Sequence, residues 1–251
     1  DFAAPFLAAG FYYKTFMWPK SFWEKIYEPI IRRAAGLGSL SGHANQDRYE
    51  KAFAFCDVLV IGGGPAGLMA TLQAARAGLI VILADEDCRL GGRLNAEKTI
   101  IDGASADLWV DRMVQELLVL PNVRLMTRTT ITGAYDQGTF GALERVTKHL
   151  ASPSKQIPVE CFWRIVAKRS ILASGALERF IAFPNNDRPG IMTASALRTY
   201  INRYSVSPGH SVAIFANNSG AEQTAKDLKA AGVRIVAYVD ARDHTEVIGD
   251  F

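Results

Sequence analysis

The sequence places its densest chemical signal at Gly62-Gly63-Gly64-Pro65-Ala66-Gly67, a match to G-x-G-x-x-G. The short apolar run Cys56 to Ile61 precedes it and a helical stripe from Pro65 to Ala77 follows, so the glycines fall at a strand-to-helix turn. Each glycine has a physical task there. Gly62 permits the tight turn, Gly64 lets backbone approach a pyrophosphate with no Cβ between them, and Gly67 lets the helix pack closely on the strand. The helix N-terminus then faces the anion.

About 20 residues on, Asp85 ends the apolar run Ile80 to Ala84, where a carboxylate can accept hydrogen bonds from both hydroxyls of an adenosine ribose. Glu86 and Asp87 follow it. Three acids repel a 2′-phosphate, so NAD, FAD or another ADP-containing ligand is favoured over NADP. The alternative is a glycine turn that binds nothing, with Asp85 a strand cap. Leu90-Gly91-Gly92-Arg93 forms a second glycine turn, whose Arg93 either meets a phosphate or is a surface arginine. Ser170 to Ala173 runs as a strand into Ser174-Gly175, and Gly175 stands where such strands return to the nucleotide edge in two-dinucleotide flavoproteins.

Elsewhere the chemistry thins out. Ala216-Asn217-Asn218-Ser219-Gly220-Ala221 occupies the place of a second fingerprint, but only Gly220 remains of it, which predicts a domain that holds a nucleotide poorly if at all. His43, His149, His210 and His244 are scattered without paired carboxylates, so no catalytic residue and no metal ligand is assigned. Ile248-Gly249-Asp250 resembles a flavin-contacting turn only superficially, because it follows the last strand directly.

The elements that position the fingerprint are those of an α/β protein. Cys56–Ile61, Pro65–Ala77 and Ile80–Ala84 make a βαβ unit; Ser105 caps a helix through Leu118, and residues 123–126 form a third strand. Residues 129–135 and 162–166 read as antiparallel strands around a turn. A second unit then runs through helix 193–204, strand 211–216, helix 220–231 and strand 234–240. Residues 1–50 form an aromatic-rich extension and linker, with a helix from Ser21 to Ala35 capped by Ser21 and Glu24 and stopped by Gly36 and Gly38. Its aromatics are either packed on the next domain or a subunit-contact surface. The expected domains are therefore 1–50, a dinucleotide-binding domain over 51–190, and a degenerate second Rossmann-like domain over 191–251.

With 251 residues, 49% hydrophobic, the chain can bury one large core or two smaller ones. A net charge of +3 without long basic runs argues against nucleic acid as partner. No apolar run approaches the ~20 residues a bilayer requires, so no membrane span is expected. Cys56, Cys88 and Cys161 are too far apart for a CxxC pair or a zinc knuckle, which fits a reducing, cytoplasmic setting. An Asp at position 1 and a second unit with few strands read as a fragment truncated at both ends.

Gly10-Phe11-Tyr12-Tyr13-Lys14-Thr15-Phe16-Met17-Trp18-Pro19, Trp23-Glu24-Lys25, and the stretch from Asp47-Arg48-Tyr49-Glu50-Lys51 into Cys56-Asp57-Val58-Leu59-Val60 resemble the α subunit of heterotetrameric sarcosine oxidase. Phe183-Pro184-Asn185-Asn186-Asp187-Arg188-Pro189-Gly190-Ile191-Met192 is shared with the wider group of opine and amino-acid dehydrogenase α subunits. The resemblance implies a thioredoxin or glutathione reductase-like fold of the two-dinucleotide-binding type. It also implies a longer polypeptide, with a ferredoxin-like region before this piece and a folate-binding region after it.

That family's complete enzyme demethylates sarcosine to glycine in an assembly with β, γ and δ subunits. FAD oxidises the substrate in the β subunit, electrons pass through FMN at the α/β boundary to O2, and tetrahydrofolate takes the one-carbon unit. The α subunit holds NAD. Carried onto this chain, the resemblance sets Gly62, Gly64, Pro65, Ala66 and Gly67 at the pyrophosphate and Asp85 and Glu86 at the ribose. Gly92 and Arg93 would lie on the phosphate's other side, with the backbone of Thr130 and Ile131 at adenine. This piece alone is expected to bind its cofactor without turnover. Two other readings compete: a self-contained FAD- or NAD-dependent oxidoreductase, and an interaction module whose nucleotide only supports the fold.

Overall fold

The computed structural model describes residues 18–36, 38 and 41–242. The aromatics up to Phe16, His244 and the Ile248-Gly249-Asp250 turn lie outside the described residues. The chain divides into two units, residues 1–46 and 47–251.

In the first unit a π-type turn, Trp23–Tyr27, continues into α1 (Glu28–Ala34). The expected Ser21–Glu24 capping box is not formed. Phe22, already helical in its backbone, occupies the cap position without a side-chain bond, and a π turn shifts the unpaired amides away from where Ser21 would meet them. Gly36 ends the helix at φ +67°.

The second unit is built on a six-stranded sheet in the order β5-β2-β1-β8-β7-β6. Its strands are β1 (Tyr49–Ile61), β2 (Val81–Ala84), β5 (Val123–Met126), β6 (Thr129–Tyr135), β7 (Thr139–Arg145) and β8 (Glu160–Leu172). β5, β2, β1 and β8 run parallel, and β8, β7 and β6 form an antiparallel meander. A two-residue pair, β3 (Ile100–Ile101) and β4 (Ala104–Ser105), precedes the second helix.

Two helices, α2 (Pro65–Arg76) and α3 (Ala106–Leu118), cover one face of the parallel strands. Val60, Val81 and Leu83 meet Leu68, Val110 and Leu117 there. On the opposite face Leu59 and Ile82 meet Phe140 and Ile165 of the meander. Burial on both faces is why β2 reads as an unbroken Val-Ile-Leu-Ala, and each such side chain contributes roughly 1.5–3 kcal/mol.

Three expectations need correction. β1 begins at Tyr49, well before Cys56, because its first half alternates with period two while small Ala54 and Cys56 face inward and Phe53 and Phe55 outward. Residues 129–135 do not pair with 162–166; β7 lies between them, joined to β6 by a turn at Asp136–Gly138. The segments 162–166 and 170–173 belong to one long strand, β8, which pairs with β1 from end to end.

The remaining elements are α4 (Ala194–Arg198), a π-type turn at Thr199–Arg203, β9 (Ser211–Ala216), α5 (Gly220–Ala230) and β10 (Arg234–Asp240). The expected single helix from 193 is thus two turns of different pitch. β9 and β10 pair in parallel beneath Leu197, Ile201, Ala225 and Leu228. Within the same unit this second module is tied to the sheet-bearing module by polar contacts that include Arg203 on Asp87, the Asn202 amide on the Ala96 carbonyl at 2.9 Å, and Arg198 on Glu97 at 3.5 Å.

Candidate nucleotide site

The glycine turn follows β1 as the spacing predicts. Gly62 has φ +103°, and a Cβ there would overlap the carbonyl oxygen of Ala173. A Cβ on Gly67 would overlap the carbonyl oxygen of Gly62, so helix and strand touch backbone to backbone at this point. Gly64 differs from both. Its φ of −69° suits any residue, and a Cβ would meet nothing within 4 Å. Gly64 therefore borders open space, at the end of α2 where Pro65 opens the helix and the first-turn amides have no intrahelical acceptor.

Three neighbours hold the turn in shape. The Gly62 amide donates to the Ala84 carbonyl at 2.8 Å, and the Gly91 amide donates to the Gly63 carbonyl at 2.7 Å. The Gly63 amide donates to Asp85 Oδ2 at 2.5 Å. Gly91 and Gly92 both have positive φ, and a Cβ on Gly92 would come within 2.9 Å of Gly64 Cα, so the second glycine turn lies directly against the first.

The three acids after β2 have separate environments. Asp85 accepts from the amides of Gly63 and, at 2.8 Å, of Asp87. Asp87 is gripped by Arg203 at 2.6 and 2.9 Å, and the Arg203 hydrogen bond holds its carboxyl well below the usual range. Glu86 is exposed and carries no hydrogen bond or ion pair among the described residues. The start of β6 is anchored on the same segment. Thr129 N–H donates to the Asp85 carbonyl at 2.8 Å and Arg128 N–H to the Asp87 carbonyl at 2.9 Å, which sets Thr130 and Ile131 beside the acids. Thr130 Oγ1 is buried without a partner.

Arg93 forms an ion pair with Glu97 at 2.5 Å. Gly175, at φ +73°, follows the end of β8, where the Ala173 amide bonds the Ile61 carbonyl at 2.8 Å. Beyond Gly92 and Arg93 a cavity of about 560 Å³ opens toward β9 and α5. Of the guanidinium groups that line it, Arg93, Arg198 and Arg203 are paired with Glu97, Asp227 and Asp87, whereas Arg179 has no ion-pair partner among the described residues. At the degenerate second turn, Asn218 Oδ1 accepts the Gly220 amide at 2.9 Å, and Arg242 joins Asp240 to Ser219. The Asp87–Arg203 contact and the Gly91–Gly63 clamp have no local sequence signal, since neither partner announces the other. Among the described residues no group of three His, Cys, Asp or Glu is arranged to hold a metal, and no helix is long and apolar enough to cross a membrane.

Fold and turn together define a Rossmann-like α/β domain of the dinucleotide-binding type, and residues 57–154 match the family described as FAD dependent oxidoreductase. L-proline dehydrogenase from P. horikoshii is structurally similar, with a TM-score of 0.62 and 25% identity over 82% of this chain and 40% of that one. In sequence the chain is related to the alpha subunits of sarcosine oxidases. It is 54% identical to that of Rhizobium meliloti over 95% of this chain and 24% of the relative, and 42% identical to that of Corynebacterium sp. strain P-1 over 82% of this chain and 22% of the relative. An opine oxidase polypeptide of Agrobacterium tumefaciens, at 28% identity over 74% of this chain and 37% of the relative, represents a wider related group. The chain spans about a quarter of the length of the sarcosine oxidase polypeptides it matches.

Proposed function

We propose that this chain is the dinucleotide-binding portion of an α subunit in a sarcosine-oxidising assembly, and that its glycine turn holds the ADP half of NAD. The observation that carries the reading is the contrast between Gly67, closed against Gly62, and Gly64, open to a space a diphosphate would fill. Gly64, Ala66 and Gly67 would present backbone to the pyrophosphate from the first turn of α2, with Pro65 fixing its direction. Glu86 would grip the ribose, while Asp85 braces the turn. Thr130 and Ile131 would border adenine, and Gly92 and Arg93 the far side of the phosphates. Gly175 would lie at the sheet edge where the ligand leaves the turn.

A dinucleotide bound here would supply a two-electron acceptor at its far end, and the cavity beyond Gly92 has room for that end. In this reading FAD and FMN act elsewhere in the assembly, with partner subunits of the β, γ and δ kind, and sarcosine is demethylated to glycine there. The second module is a poor nucleotide site, because Asn218 already satisfies the helix amide that a phosphate would need and Arg242 engages Asp240.

The match to FAD dependent oxidoreductases favours a second reading, with FAD in the same turn. Mass spectrometry of the ligand released on denaturing the full-length polypeptide separates them. NAD supports the proposal, FAD and a yellow solution support the second reading, and an absent nucleotide overturns both.

A further inference from the structure

The meander presents an outer face unlike that of an ordinary solvated sheet, whose outward positions are polar. Phe53 and Phe55 of β1, Phe162 of β8 and Tyr135 of β6 are 61%, 70%, 40% and 62% exposed. They share one face, because their strand neighbours Ala54, Cys56, Cys161 and Ile165 are buried on the other. Two of the rings, Phe162 and Tyr135, lie against glycines. A Cβ on Gly141 would come within 3.0 Å of the Phe162 ring, and one on Gly133 within 2.8 Å of the Tyr135 hydroxyl. Glycines opposite each other in β6 and β7 thus leave room for these two rings to approach the backbone closely.

Glu160 and Asp57 share this face but are ion-paired with Lys148 and Lys168, so the unpaired charges around the platform have one sign. Lys51, Arg145 and Arg164 alternate with the aromatics on the same face, and none has an ion-pair partner among the described residues. Arg164 lies over the Phe53 ring at 5.2 Å, a cation–π contact that leaves its charge uncompensated. Every carboxylate on the four strands is already engaged: Glu50 by Arg48, Asp57 by Lys168, Glu160 by Lys148, and Glu144 by the Trp163 indole. An aromatic centre with an unanswered basic rim fits an acidic polypeptide surface with an apolar middle.

We propose that the outer face of β1, β8, β7 and β6 is the docking surface for a different polypeptide of the assembly, which meets it with an acidic rim. This rests on the reading of the chain as part of a multisubunit protein. The test uses the full-length polypeptide co-expressed with the partners of its assembly. The double substitution Phe53→Ser/Phe55→Ser should reduce recovered complex at least tenfold while nucleotide retention and circular dichroism stay as in wild type. Arg164→Glu, which leaves the rings in place, should make the complex dissociate at lower salt. A photo-crosslinking residue at position 55 should join the chain to a partner polypeptide. A wild-type protein that never associates with another polypeptide overturns the multisubunit reading and the docking face with it. Variants that assemble and resist salt like wild type, or cross-links confined to a second copy or to the same chain, overturn the docking face alone.

Discussion

Arg203 holds Asp87 with two guanidinium nitrogens, at 2.6 and 2.9 Å, across the boundary between the module that carries the glycine turn and the module that follows it. The acid directly follows Glu86, so the segment after β2 in one module is held by a residue of the other. Asp87 is thus charge-paired, whereas Asp85 is bonded only to backbone amides and Glu86 is exposed without an ion-pair partner among the described residues.

Replacing Arg203 by Ala should loosen the second module. Two charge-assisted hydrogen bonds are lost at a partly buried site, about 1–3 kcal/mol. The expected result is a lower Tm and faster amide exchange in residues 199–203 and 87–89. Arg203→Lys should restore only part of it, since an ammonium lacks the planar fork. Unchanged exchange would mean that the modules are held by Asn202 and Arg198 alone.

The same pair gives a pH signature. A carboxyl held below its ordinary value contributes stability that is whole above the unfolded pKa, about 3.9, and lost as pH falls through the lower folded value. The difference in unfolding free energy between wild type and Asp87→Asn should be level from pH 5 to 8 and shrink only below about 4. A gap that closes between pH 6 and 7 would assign the linkage to some other group.

Gly64→Val and Gly67→Ala should separate binding from folding. Valine at 64 enters open space in a permitted backbone conformation, so nucleotide retention is lost and Tm is kept. Alanine at 67 drives a methyl into the Gly62 carbonyl, and the fold itself loses roughly 1–3 kcal/mol. Calorimetry with and without NAD reads both effects. Retention of nucleotide by Gly64→Val would remove the turn as the phosphate contact.

The acids should separate likewise. Glu86→Gln leaves every described hydrogen bond in place, and is expected to weaken nucleotide binding about tenfold, near 1.4 kcal/mol, with little change in the nucleotide-free protein. Asp85→Ala removes the acceptor of the Gly63 and Asp87 amides, and should lower both Tm and affinity. Equal effects of the two changes on stability would contradict the division of roles.

Of the three thiols, Cys88 is exposed whereas Cys56 and Cys161 are buried, and burial pushes the Cys56 thiol up to about 11. Alkylation of the native protein at pH 8 should modify Cys88 and spare the other two until unfolding. Rapid labelling of Cys56 in the native state would show that β1 opens.

Much of the site was legible in the sequence because its logic is local. Gly62 to Gly67 need only each other, the strand before and the helix after, and residues 123–126, 211–216 and 234–240 are strands as their apolar runs foretell. What stayed hidden depends on partners remote in the chain. Asp85 reads as a free acid until Gly63 is seen donating to it, and Asp87 reads as a repulsive charge until Arg203 arrives. β7 has no clear strand signal in the sequence because Gly141 and Ala142 lack the bulky side chains that mark a strand. The first half of β1 lacks the signal for the opposite reason, since its large residues point outward and its small ones inward.

β1 and β8 run paired from the meander to the glycine turn without interruption. From Phe53 to Ile61 that ribbon covers about 25 Å at a rise near 3.3 Å per residue. The aromatic face and the glycine turn are therefore opposite ends of one continuous ribbon.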